Sequence, residues 1–115
     1  MQLRFPWMRN ELVNHLRELA DVTYQKGHWL PGQGCLDYII HFLFDDTPAP
    51  QDALEYYLAT PQEVDTVMAV VTALDHVLQE YGTELTDHEY TQKPEWSKVV
   101  NAAQNALRLI EEDPH

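Results

Sequence analysis

The chain has 115 residues, 44% of them hydrophobic, and its 19 acidic and 7 basic residues give a net charge of −12 at pH 7. This length predicts a single domain over residues 1–115. The charge argues against proteins that bind nucleic acid or anionic membranes through lysine and arginine, and it favours a basic protein partner.

Cysteine usage and the apolar runs predict a cytoplasmic protein. Cys35 is the only cysteine, so no disulfide can form within the chain. No run approaches the ~20 apolar residues that a membrane-spanning helix needs. The first residues, MQLRFPWMRNELV, lack the apolar core and cleavage site of a signal peptide. We therefore expect a reducing compartment and no contact with a membrane.

The first predicted element is an amphipathic helix in RNELVNHLRELAD. Its apolar residues share one helix face: Leu12, Val13, Leu16, Leu19 and Ala20. The opposite face carries Arg9, Glu11, Asn14, Arg17 and Glu18. Asn10 is the predicted N-cap. The segment KGHWLPGQGC that follows holds three glycines and a proline, which predict a loop.

A second helix is predicted from Leu36 to Phe44, ended by Thr47, Pro48 and Pro50, and QDALEYYLA predicts a short third helix. TPQEV predicts the start of a long fourth helix, with Thr60 and Glu63 as a capping box. Its predicted buried residues are Val64, Val67, Met68, Val71, Leu74, Val77 and Leu78. Gly82 is its predicted C-cap.

The last helix is predicted to open at Pro94 and to end before Pro114, with Trp96 beginning its buried face. Short connections and amphipathic helices together predict an all-α fold. The expected architecture is a compact single-domain bundle of four to five helices.

Motifs for catalysis or cofactor binding are missing from the sequence. There is no phosphate-binding loop, paired-cysteine metal motif or nucleophile elbow. His41 and Asp45 share a helix face at i,i+4, which leaves open a metal or acid–base role, or a histidine simply paired with a carboxylate. Cys35 is either a nucleophile or, more in keeping with its surroundings, a small buried thiol. We therefore predict no enzyme, no cofactor and no metal.

The acidic residues are concentrated in one part of the chain. No lysine or arginine occurs from Gly27 to Gln92, a range that we call the cation-free stretch. It contains twelve acids: Asp37, Asp45, Asp46, Asp52, Glu55, Glu63, Asp65, Asp75, Glu80, Glu84, Asp87 and Glu89. Asp45 and Asp46 end a predicted helix, where the exposed carbonyls disfavour negative charge. Their position indicates a partner, although the total charge could also serve solubility alone.

Aromatic residues near these acids predict points of contact with a partner. Trp29 in the predicted loop, and Tyr56 beside Glu55, are candidates for surface contacts, whereas Tyr57 is the member of the tyrosine pair expected in the core. The predicted partner-binding residues are Asp45, Asp46, Asp52, Glu55, Tyr56, Asp37 and Trp29.

Four segments, WMRNELVNHLRELAD, DYIIHFLFDDT, QEVDTVMAVVTALDHVL and WSKVVNAAQNALRLIEE, carry a family resemblance over nearly the whole chain. In this order they resemble a group of small acidic bacterial proteins that includes contact-dependent growth inhibition immunity proteins. The resemblance implies an intracellular, non-enzymatic protein that binds and neutralises a cognate toxin domain, often a nuclease. Asp45 and Asp46 are the matched positions.

Charge and resemblance together predict an immunity protein whose acidic surface binds a basic, nuclease-type toxin domain. An acidic inhibitor can occupy the groove in which a nuclease binds phosphate, because it imitates the charge of the substrate. The alternative is an acidic helical adaptor or regulatory protein that binds another protein without any toxin.

Overall fold

Helices make up most of the computed structural model, which describes residues 3–29, 35–46 and 50–112. Its α-helices are α1 (Pro6–Ala20), α2 (Val22–His28), α3 (Cys35–His41), α4 (Pro61–Tyr81), α5 (Asp87–Thr91) and α6 (Trp96–Glu112). A π-helix (Phe42–Asp46) continues α3, and a 3-10 helix (Pro50–Asp52) follows. Within these ranges the only β-type pairing is a bridge between Leu54 and Leu58. The predicted all-α fold is confirmed.

The core forms where α6 packs against both α1 and α4. The fully buried residues of α6 include Ala103 and Ala106, whose small side chains permit close approach of the neighbouring helices. Leu12 and Leu16 of α1 are fully buried, and each such side chain contributes about 1.5 to 3 kcal/mol through removal from water. Nowhere in the described ranges does a helix have both the length and the apolar composition of a membrane span.

The ends of α4 follow the sequence signals in part. Thr60 Oγ1 accepts the N–H of Glu63 at 3.2 Å, and Gly82 caps the C-terminus with a φ of +79°, which favours glycine. The Glu63 carboxylate, however, accepts the N–H of Ala59 at 2.8 Å, one residue before the cap. A complete capping box lies instead at the start of α5, between Thr86 and Glu89.

A buried ion pair joins α1 to the start of α4. Arg9 donates to both carboxylate oxygens of Glu63, at 2.7 and 2.8 Å, and to the carbonyl oxygen of Tyr57 at 3.0 Å. Arg9 is 5% exposed and Glu63 is fully buried. The prediction that Arg9 lies on the solvent face of the first helix is therefore wrong, because its guanidinium is the counter-charge of a buried acid.

The start of α1 and the following helix also differ from prediction. The helix begins at Pro6 rather than after Asn10, because proline suits the first helical position, where no N–H is needed. Residues predicted to open the glycine-rich loop instead belong to α2, whose N-cap Asp21 accepts the N–H of Tyr24 at 2.9 Å. Residues 30–34 of that predicted loop lie outside the described part of the chain.

A second buried polar cluster holds α2 against α1 and α6. Gln25 Nε2 donates to the carbonyl oxygens of Glu18 and Leu19, at 2.8 and 3.0 Å, at the end of α1. Its Oε1 accepts from Trp96 Nε1 at 3.0 Å. Trp29 packs edge-on against Trp96 with ring centroids 5.9 Å apart, and it is only 2% exposed. Trp29 is thus a core residue, and its prediction as a surface contact is wrong.

The predicted third helix is replaced by turns. Its first two residues, Gln51 and Asp52, belong to the 3-10 helix, and Glu55 has a φ of +73° that interrupts any helix. The N–H groups of Arg4 and Phe5 donate to the carbonyls of Glu55 and Tyr56, at 3.0 and 2.7 Å. Pairing with the distant N-terminal segment therefore uses backbone groups that a helix would have satisfied locally. Tyr57 is fully buried, as predicted.

We expect Arg9→Met to lower the free energy of unfolding by about 3 to 5 kcal/mol, because it leaves the Glu63 carboxylate buried without its counter-charge. Urea unfolding measures this change. Arg17→Met is the matched control, since Arg17 and Glu111 form an exposed pair at 3.4 Å, for which the expected loss is below about 1 kcal/mol. Equal losses in the two variants would contradict a structural role for the buried pair.

Trp96→Ala should lower stability by about 3 to 5 kcal/mol, since it removes a 3%-exposed ring that contacts Trp29. Trp96→Phe should lower stability by less than Trp96→Ala, because it keeps an aromatic ring and removes only the indole donor to Gln25 Oε1. Thermal or urea unfolding compares the two. A midpoint unchanged in Trp96→Ala would show that the ring is outside the core.

Candidate protein-binding surface

A groove opens between residues 7–15 of α1 and the outer side of α3 and the π-helix. Its volume is about 340 Å³. The residues that line it are Trp7, Met8, Glu11, His15, Tyr38, His41 and Phe42. We call it the Trp7–Tyr38 groove, because these two side chains are 59% and 74% exposed. Exposed aromatic rings of this size in a concave surface indicate a binding site.

The helix periodicity explains why these side chains face outward. Met8 and Leu12 occupy the buried face of α1, so Trp7 and Glu11, one position earlier in each case, lie together on the flank of the helix. On α3, Leu36 and Ile39 are buried, which leaves Tyr38 directed to solvent.

An exposed histidine–carboxylate pair lies at the α3 side of the groove. His41 Nδ1 lies 2.9 Å from Asp45 Oδ2, and the two side chains are 67% and 63% exposed. The predicted i,i+4 pair is therefore present. The contact also gives Asp45 a hydrogen-bond partner on its own helical segment, which offsets the unfavourable position of a carboxylate at a helix end. The side chain of Asp46 lies outside the described part of the structure.

His15 forms the floor of the groove on α1. Its ring packs on Phe42 with centroids 4.8 Å apart, and within the described residues its buried Nδ1 has no hydrogen-bond partner. Burial lowers the pKa of His15 from its ordinary 6.5, although the Glu11 and Glu18 carboxylates, each 3.9 Å away, oppose this shift. His15 is therefore predominantly neutral at pH 7.

A chain of aromatic rings extends the surface away from the groove. The ring centroids of Trp7 and Phe5 lie 6.2 Å apart, and Phe5 stacks on Tyr56 with ring centroids 5.6 Å apart. The guanidinium of Arg4 lies 5.4 Å from the centre of the Tyr56 ring. The structure thus connects Tyr56, a predicted contact, to Trp7 and the groove. Tyr56 is half-buried, and its neighbour Glu55 is exposed.

The remaining predicted contact residues are distributed over the surface. Asp52 is exposed at the end of the 3-10 helix, and Asp37 is exposed in the first turn of α3. Asp37 lies toward α5, where its charge adds to the main effect of burial in raising the pKa of Tyr90. Trp29 is absent from this surface because it is part of the core.

Among the described side chains, two acids of the cation-free stretch are removed from the surface. Glu63 is paired with Arg9, and Asp87 accepts the N–H of Leu36 at 3.1 Å while only 7% exposed. Nine others are exposed: Asp37, Asp45, Asp52, Glu55, Asp65, Asp75, Glu80, Glu84 and Glu89. Much of the acidic stretch therefore remains available to a partner.

Sequence reasoning missed Trp7, Glu11, His15 and Tyr38 as site residues. Placing the helix start at Asn10 left Trp7 outside the first helix, and the role of Tyr38 depends on a neighbouring helix that is distant in sequence. A usable signal was present, since Trp7 and Glu11 are four residues apart once Pro6 is taken as the helix start.

The Trp7–Tyr38 groove presents several kinds of chemical group. Throughout the described residues, no group of three or more His, Cys, Asp or Glu side chains is arranged to hold a metal ion. The side chain of Cys35 lies outside the described part, so its predicted alternatives stay open. The groove offers aromatic faces, a carboxylate and two histidines.

A family model described as a domain of unknown function (DUF7945) matches residues 3–115. The chain belongs to this family. Comparisons with curated proteins and with solved structures find no match. The DUF7945 description specifies no activity, so the resemblance to immunity proteins stays a prediction.

The exposure of Trp7 can be measured by fluorescence. Trp29 and Trp96 are 2% and 3% exposed, so acrylamide should quench mainly Trp7. We expect Trp7→Phe to lose most of the quenchable emission, while Trp29→Phe keeps it. Strong quenching that persists in Trp7→Phe would contradict the arrangement of the groove.

The lowered pKa of His15 makes stability depend on pH. Because the unfolded state accepts the proton at higher pH than the folded state, the free energy of unfolding should fall as pH decreases through 6.5 toward the folded pKa. His15→Gln should reduce that fall in urea unfolding at pH values between about 7.5 and about 5.5. His76→Gln, at an exposed histidine, is the control, and an identical pH profile in both variants would contradict the assignment.

Proposed function

We propose that the protein binds a basic protein partner in the cytoplasm and neutralises it, as an immunity protein neutralises a toxin domain. One observation carries the proposal: a negatively charged surface adjoins a groove with two exposed aromatic side chains, Trp7 and Tyr38. Carboxylates accelerate the encounter with a basic partner, and aromatic side chains that lose water on binding commonly dominate the binding energy.

A nuclease-type toxin domain is the partner class that this surface suits best. Such a domain presents lysine and arginine to the phosphates of its substrate, and the exposed carboxylates of the cation-free stretch offer the same charge as those phosphates. Inhibition by occupation of that site requires no catalysis by the inhibitor. The resemblance in the LFDDT segment supports the same class.

The adjacent gene supplies the first candidate partner. Its purified product should form a complex with the chain, and co-expression should protect cells from its toxicity. Complex formation without protection would favour the alternative, an acidic adaptor or regulatory protein. If neither a complex nor protection is observed, the chain does not neutralise the product of the adjacent gene.

Removal of charge beside the groove, where Asp45 pairs with the lining residue His41, should weaken the complex more than removal elsewhere. We expect Asp45→Asn with Asp46→Asn to slow association by a factor of about 3 to 10 and to reduce its salt dependence, because exposed carboxylates act mainly on the encounter rate. Stopped-flow or surface plasmon resonance at several salt concentrations measures both.

The matched control removes two exposed charges on α4, by Asp75→Asn with Glu80→Gln. These residues belong to the cation-free stretch, but Asp75 accepts from Gln79 on the same helix, whereas Asp45 pairs with His41, a residue that lines the groove. Unfolding midpoints should stay similar in both double variants. An association rate that falls equally in the two would show that only the total charge matters, and would contradict binding centred on the groove.

A further inference from the structure

We propose that the Trp7–Tyr38 groove receives a single arginine side chain of the partner, whose guanidinium contacts both aromatic rings and pairs with the Glu11 carboxylate. This inference rests on the proposed function and deepens it, because it specifies the chemical group that the surface recognises. It assigns the role of anchor to residues of α1 and α3 outside the predicted acidic set.

The dimensions of the groove suit one side chain. Its volume of about 340 Å³ lies at the lower end of the range of ligand pockets, ~300 to 1,000 Å³. A helix or a large ligand would need a longer cleft. The exposed parts of Trp7 and Tyr38 leave the groove open to an extended side chain that enters from solvent.

The charges around the groove favour a cation. Glu11 lines it with a side chain that is 51% exposed. The contact of Glu11 Oε1 with His15 Nε2, at 3.9 Å, is too long for a hydrogen bond, so the carboxylate can accept from a ligand. Asp45 adds negative charge behind His41. None of the described lining residues is a lysine or an arginine, so neither of these side chains competes for the Glu11 carboxylate.

The aromatic lining favours arginine over lysine. A guanidinium is planar and weakly hydrated, so it can stack on a ring face and donate two parallel hydrogen bonds to one carboxylate. Lysine offers a compact, strongly hydrated charge without that shape. His15 does not repel the cation at neutral pH, because burial keeps its pKa low.

The test uses short peptides and the intact protein. The peptides Ac-Gly-Arg-Gly-NH2, its lysine analogue and its citrulline analogue are titrated in turn, and the indole N–H resonance of Trp7 is followed by NMR. Trp7→Phe assigns that resonance. The arginine peptide should shift it, and the neutral citrulline peptide, which keeps the shape of arginine, should bind at least about fivefold more weakly. The affinity of the lysine peptide should lie between those of the arginine and citrulline peptides.

Variants locate the binding site within the protein. Glu11→Gln should weaken the arginine peptide several-fold and reduce its preference over citrulline, and Tyr38→Ala should weaken the arginine and lysine peptides alike. Asp75→Asn is the matched control for loss of one exposed carboxylate, and it should leave the titration unchanged. Amide spectra confirm that each variant is folded.

Several results would overturn the inference. Equal affinity for the arginine and citrulline peptides would show that the groove does not recognise the positive charge. NMR shifts spread over α4 and α6 would show general attraction to the acidic surface. Self-association through the groove, measured by sedimentation and lost in Tyr38→Ala, would identify a second copy of the chain as the occupant. If the peptides fail to bind while the partner is still captured and neutralised, only the arginine inference fails; loss of capture contradicts the proposed function itself.

Discussion

The buried pair of Arg9 and Glu63 sets the position of α1 relative to the start of α4. Two charges removed from water are stable only if each is well paired, and here the guanidinium also satisfies the carbonyl of Tyr57 while the carboxylate accepts from Ala59. One interaction therefore joins α1, the turn segment and α4. Arg9 lies two residues from both Trp7 and Glu11, so the pair also fixes the α1 side of the groove.

The opposite side of the groove is held by different contacts. Asp87, at the start of α5, accepts the N–H of Leu36, and this bond ties the first turn of α3 to a distant element. Further along, Phe42 is 4% exposed and packs against the ring of His15 on α1. The two sides thus meet through His15 and Phe42, while Tyr38 stays exposed. Separate attachment of each side to the core supports a preformed groove.

The placement of the few cations sharpens the charge asymmetry. Arg9 is buried and pairs with Glu63, and Arg17 pairs with Glu111 at the end of α6. Arg4 lies over Tyr56, so it reduces the negative potential only at that end of the aromatic chain. The Trp7–Tyr38 groove is lined by the Glu11 carboxylate and, among the described residues, by no lysine or arginine, which is the physical basis for expecting a basic group there.

The sequence by itself determined the all-α fold, the position of the long helices and the acidic character of the surface, because helix periodicity, Thr60, Gly82 and charge counts are local properties. Only the tertiary structure decided which polar residues are buried. The contacts of Arg9 with Glu63, of Gln25 with Trp96 and of Leu36 with Asp87 join residues 54, 71 and 51 positions apart, and no local pattern encodes such pairings.

The dependence on contacts between distant residues also explains which sequence predictions were wrong and why the groove was not predicted. Residues 53–58 favour a helix locally, but pairing with Arg4 and Phe5 makes the turn more stable. Trp29 was expected on the surface because glycine and proline follow it in sequence, whereas packing on Trp96 buries it. The acidic charge could be predicted by counting residues along the chain. The groove could not be predicted, because Trp7 and Tyr38 become neighbours only when α1 and α3 pack on the same core.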